Sequence, residues 1–108
     1  MTVNVITTLA IDDLWMRVGD IPYWLDVNDP RPAREQLDSH YRHGGGWHPF
    51  QGYSLKIEHG RRALLFPGDP PQYPIATMHL RDETILVYPH AIVVVLQPDG
   101  SFEACRMD

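Results

Sequence analysis

The sequence predicts an α+β fold: a mainly antiparallel sheet of five or six strands, one helix over about residues 31–43, and a short N-terminal helix packed on it. Three observations predict it. From Tyr53 to Arg106 the chain breaks into short apolar or alternating blocks, separated by turn signals at His59-Gly60, Arg81-Asp82-Glu83 and Pro98-Asp99-Gly100. One segment alone, Ala33 to His43, combines a helical stripe with a cap before it and a glycine stop after it. The chain of 108 residues, 44% hydrophobic and 21% charged, suits a single compact α+β domain over 1–108 and is too short for two ordinary ones.

In chain order, Thr2 to Thr7 alternates loosely through Val3 and Val5 and reads as a strand. Leu9 to Val18 places Ile11, Leu14, Trp15 and Val18 on one helical stripe, with Thr8 as cap and Gly19 where a helix would stop. Ile21, Tyr23, Leu25 and Val27 then recur at period two, which is a strand. Pro22 points to the start or the edge of a sheet, since proline has no N–H for the ladder. Tyr23 and Trp24, as strand neighbours, point to opposite faces, so only one of them belongs to the core.

The main helix follows, with Asp29 as cap, Pro30 or Pro32 in the first turn, and Ala33, Leu37, His40 and Tyr41 on one stripe. Gly44-Gly45-Gly46 stops it. Two strands, Tyr53–Glu58 and Arg61–Phe66, flank His59-Gly60, a two-residue hairpin signal. Ile75–Leu80 and Thr84–Tyr88 form the next pair. Ala91–Leu96 is the most apolar run and therefore the central strand, and Ser101–Arg106 is the last.

Several function classes are excluded or weakened at this stage. The one cysteine, Cys105, removes a disulfide framework and any four-thiolate zinc site, and reads as a buried, inert thiol. No run approaches the ~18 apolar residues of a membrane helix, and the N-terminus lacks a signal-peptide pattern. The expectation is a cytoplasmic protein with no membrane partner. The net charge of −5 hides a basic centre. Residues 1–30 and 63–108 each balance at −4, whereas 31–62, with Arg31, Arg34, Arg42, Lys56, Arg61 and Arg62, balance at +3. The arginines form no continuous helical row, no nucleic-acid motif is present, and the acidic flanks oppose phosphate binding, so nucleic acid is not the expected partner. The acids at 12, 13, 20, 26 and 29 would suit a basic partner only if the fold exposed them together.

The chemistry concentrates in residues 40–53, where three histidines, four aromatics and four glycines fall within fourteen positions. The leading reading makes this loop the contact surface of a small non-enzymatic binding or regulatory protein, using Arg34, Arg42, Trp47, Phe50 and Tyr53 to engage a protein or small ligand, with no cofactor. Aromatic side chains beside arginine are what interface hot spots are made from. The same aromatics would equally seal the end of a small sheet. The alternative is a small metal-dependent enzyme. His40 and His43, three apart on a helix, share a face, and His48 could return across the glycines as a third zinc ligand, with Asp38 or His90 as fourth. Against it, the spacing fits no zinc-enzyme signature, no carboxylate is placed as base, and a helix C-terminus attracts histidines by its dipole alone. Gly44-Gly45-Gly46 is no phosphate cradle, because it follows a helix instead of leading into one. The spacing leaves the oligomeric state undetermined.

Overall fold

The computed structural model describes residues 5–9, 13–18, 21–40 and 48–107. Strands dominate. In chain order they are β1 (Val5–Leu9), β2 (Asp13–Val18), β3 (Ile21–Asp26), the helix α1 (Ala33–His40), β4 (His48–Pro49), β5 (Ser54–Glu58), β6 (Arg61–Leu65), β7 (Ala76–Leu80), β8 (Glu83–Tyr88), β9 (Ile92–Leu96) and β10 (Phe102–Arg106). All pairings among the described residues are antiparallel. They divide into three sheets, ordered β1-β2-β3, β4-β10-β9-β8-β7 and β5-β6.

This corrects the α+β expectation in three respects. The strands are shared among three sheets instead of gathered into one of five or six. The helix is short, starting at Ala33 and not at 31, and its expected continuation to 43 lies outside the described residues. Among the described residues the expected N-terminal helix is replaced by strands: Val5–Leu9 and Asp13–Val18 pair, Val5 to Val18 through Leu9 to Leu14. The helical stripe and a period-two pattern overlap in this segment. Met16 and Val18 are buried with Arg17 half-buried between them, and β2 is bonded on both sides, by β1 and β3. Ladder bonds on both edges and a shared apolar face outweigh a helical periodicity carried by four residues. The stop assigned to Gly19 lies outside the described residues.

The five-stranded sheet is covered on both faces, which is why β9 is buried at every position. One face packs Ile85, Val87, Val93, Val95 and Cys105 against Met16, Val18, Tyr23 and Leu25 of the first sheet and Ala33 and Leu37 of α1. The other packs Leu86, Tyr88, Ile92, Val94 and Ala104 against Leu64, Leu55, Phe50, Tyr53 and Phe66. Burying one such aliphatic side chain is worth roughly 1.5–3 kcal/mol. As the sequence predicts, β9 lies at the centre, β3 with Pro22 at an edge, and Tyr23 is core while Trp24 is 38% exposed. His59 (φ 51) and Gly60 (φ 74) make the predicted two-residue turn.

Two side chains fix the segment that delivers α1. Gln36, itself buried, accepts from the Asp26 N–H at 2.7 Å and donates to the Arg31 carbonyl at 2.9 Å. From the solvent side, Arg81 donates to the carbonyls of Val27, Asp29 and Arg31 at 3.0, 3.0 and 3.1 Å. Glu83 then accepts from the Ala33 N–H at 2.8 Å, supplying a carboxylate to the first turn of the helix. No helix among the described residues is long and apolar enough to cross a membrane.

Candidate binding groove

The ladder of β10 dictates which groups face outward beside α1. The Ser101 carbonyl accepts from the Gln97 N–H, and the Met107 N–H donates to the Ala91 carbonyl. Odd-numbered residues of β10 therefore turn their backbone groups toward β9, and Phe102 and Ala104 turn theirs to the outer edge. The outer neighbour β4 reaches only Cys105 and Arg106. Beyond it, Tyr53 lies beside this edge, its ring centroid 6.0 Å from that of Phe102.

Side chains alternate across the same strand. Phe102 and Ala104 share the face of Tyr53 and Phe50, while Glu103 lies toward α1, where its carboxylate meets the Arg34 Nε at 3.3 Å. The result is an open groove of about 530 Å³, walled by Arg34 and Glu103 on one side and by Phe50, Tyr53 and Phe102 on the other. The rings are tilted against one another, with centroids 5.0 Å apart for Phe50 and Tyr53 and 6.0 Å for Tyr53 and Phe102. Phe66 stacks behind Phe50 at 5.9 Å. Gly52, at φ 84, lets the loop double back between Phe50 and Tyr53. Across the Arg34–Glu103 pair a second depression of about 380 Å³ continues toward Pro32, Glu83 and Gln97.

Electrostatically the groove is mild. Arg34 and Glu103 are both more than half exposed, so their ion pair contributes at most about 1 kcal/mol and can exchange for a ligand's charge. Burial pushes the Tyr53 phenol up, against a smaller downward pull from the Ala104 N–H, and it stays protonated at neutral pH. Behind the groove, Cys105 is buried and its thiol is pushed up by that burial, so it offers no thiolate.

Of the sequence-predicted residues, Arg34, Phe50 and Tyr53 meet in this groove. Arg42, His43 and Trp47 lie outside the described residues. The backbones of His40 and His48 are placed at the end of α1 and opposite Arg106, but their side chains lie outside the description, so the His40–His43–His48 zinc set does too. Among the described residues no group of three or more His, Cys, Asp or Glu side chains is gathered to hold a metal ion. Asp29 is taken up by Arg31 at 2.7 Å instead of joining an acidic surface. Sequence reasoning missed Phe102 and Glu103. The available signal was an aromatic directly after the Pro98-Asp99-Gly100 turn, alternating with the small Ala104. No family model matches the chain, and comparison with curated proteins and with solved structures gives no match.

Proposed function

We propose that the chain is a non-enzymatic binding protein and that its contact surface is the groove between α1 and the 49–53 loop, engaging an exposed segment of a partner protein. The observation that carries this reading is the convergence of Phe50, Tyr53 and Phe102 with the Arg34–Glu103 pair on one open depression. An apolar side chain of the partner would lie against Phe102 and Tyr53, and a charged group would exchange into the ion pair. Rigid aromatics flanked by arginine give contact area at small entropic cost, and the polar rim gives orientation. An open depression suits a peptide segment better than a small molecule, which calls for enclosure. The described lining contains no serine, cysteine or histidine side chain.

Selection of a displayed random-peptide library on the wild-type protein tests this. The expected result is a family of peptides sharing an apolar or aromatic position, whose affinity falls at least about tenfold in Phe102→Ser, as expected for a hot-spot residue. Phe102 is 37% exposed, so the substitution leaves the core intact, which circular dichroism checks. Absence of enrichment, or peptides that bind Phe102→Ser and Arg34→Ala as tightly as wild type, refutes the reading.

A further inference from the structure

Every strand edge in a soluble protein exposes N–H and C=O groups that must be bonded, covered or protected. The described edges here are treated unequally. In the β5–β6 hairpin the two-residue turn places Glu58 opposite Arg61. Such a turn closes on a pair that exchanges both hydrogen bonds, so alternation sends the backbone groups of Arg62 and Leu64 outward. Both are used: the Tyr88 hydroxyl donates to the Arg62 carbonyl, and Leu64 exchanges both bonds with Gln72 at 2.8 and 2.9 Å. The edge of β10 is met by β4, and that of β3 carries Pro22 and gives its Asp26 N–H to Gln36. The edge of β5 carries the charges of Lys56 and Glu58.

The edge of β7 has none of these devices. Its sequence, Ala-Thr-Met-His-Leu, contains no Lys, Asp, Glu or Pro. The turn Arg81-Asp82 places Leu80 opposite Glu83, so Leu80, Met78 and Ala76 bond to β8 and Thr77 and His79 turn their N–H and C=O outward. Both residues are exposed, and among the described residues their outward backbone groups have no partner.

We propose that this edge pairs with β7 of a second copy, antiparallel, about a two-fold axis at Met78. The occupant follows from self-complementarity. Setting Thr77 of one copy opposite His79 of the other satisfies all the outward groups of both residues in both copies, giving four hydrogen bonds. The neighbouring registers, Thr77 on Thr77 or His79 on His79, draw their outer bonds from Ile75, whose N–H is committed to the Val87 carbonyl, or from Arg81, which has entered the turn at φ 49. The dimer is isologous and closes on itself, and it joins the two five-stranded sheets into one. It leaves the Arg34–Phe102 groove untouched at the far edge of the sheet.

The register supplies the test. Sedimentation equilibrium of wild type up to about 1 mM is expected to show a reversible monomer–dimer equilibrium, since four backbone bonds on a short edge support only weak association. The double variant T77K/H79K sets two like-charged pairs directly opposite across the two-fold and raises the dissociation constant at least about tenfold. The double variant T77E/H79K alters the same exposed positions but sets two opposite-charge pairs, and dimerises as well as wild type or better. Unchanged melting curves confirm that both variants fold. A wild type that stays monomeric to about 1 mM overturns the proposal. So does equal weakening, or equal tolerance, of the two variants.

Discussion

Removing the Gln36 carboxamide tests how much of the architecture depends on one buried polar side chain. In Gln36→Leu the volume is nearly kept, so the change isolates the hydrogen bonds. The Asp26 N–H, bonded at 2.7 Å, loses its acceptor. The Arg31 carbonyl loses a donor at 2.9 Å but keeps Arg81 at 3.1 Å, and the longer contacts to the Asp26 and Asp29 carbonyls, at 3.3 and 3.5 Å, are weak. One orphaned buried donor costs about 1–3 kcal/mol, so the expected loss is about 2 kcal/mol. For a domain of this size that lowers the melting temperature by about 10 °C. Gln36→Glu adds a pH signature. Its carboxylate would face carbonyls it cannot donate to, so burial raises the introduced group's folded pKa above its ordinary ~4.3. A raised folded pKa means the folded form binds the extra proton more readily. The deficit against wild type is therefore largest at neutral pH and shrinks as pH falls through the folded pKa, where the protonated acid can again donate and accept. Arg81→Ala combined with Gln36→Leu strips the Arg31 and Asp29 carbonyls of both partners, so the double variant loses at least about 0.5 kcal/mol more than the two singles together. Thermal and urea melts monitored by tryptophan fluorescence measure wild type and the four variants. A Gln36→Leu protein that melts within about 3 °C of wild type would refute the assignment of the 26–32 segment to this clamp.

Three further outcomes are expected. Burial pushes the Tyr23 and Tyr88 phenols up to about 12, so the folded state resists their ionisation and stability falls as pH rises from about 10 toward 12. Tyr88→Phe should flatten part of that alkaline loss while costing about 1 kcal/mol at neutral pH, where the bond to the Arg62 carbonyl is gone; identical alkaline melts of the two proteins would contradict it. Ala91 sits at φ 60 between β8 and β9, a conformation that costs a residue with a Cβ about 1–2 kcal/mol, part of which glycine loses to its greater unfolded freedom. Ala91→Gly should therefore raise stability by up to about 1 kcal/mol in urea melts, and a lower midpoint counts against the strain. The Cys105 thiol, buried and pushed up, should react with a chromogenic disulfide reagent only as fast as the protein unfolds; labelling in native buffer within minutes would contradict its burial.

What the sequence revealed of the fold depended on how local the determining signal was. Ile92–Leu96 was legible as the central strand because burial on both faces removes alternation and leaves an unbroken apolar run. The turn at His59-Gly60 was legible because positive φ at two successive positions is a local demand. The segment before Val18 was not, because Leu14 and Val18 fit a helical stripe with Ile11 and Trp15 and also a period-two row with Met16, and what decides is the ladder that β1 and β3 build on both sides of β2. Division of the strands into three sheets was equally hidden. Gln72 closes the outer side of β6 through backbone hydrogen bonds to Leu64, which no local residue pattern marks.

The groove was half legible for the same reason. Arg34, Phe50 and Tyr53 stood out by composition, yet composition assigns no side to a ring. Tyr53 becomes part of a wall because its ring packs between those of Phe50 and Phe102, with centroids 5.0 and 6.0 Å away. Tyr53→Phe separates the ring from its hydroxyl. Apolar area is kept while the polar group is lost, a change of about 1 kcal/mol if the hydroxyl is bonded. If the hydroxyl positions the ring, the affinity of groove-selected peptides falls along with stability. If packing of Phe50, Phe66 and Phe102 positions it, only stability falls. Measuring both on the same protein decides which interaction builds the groove.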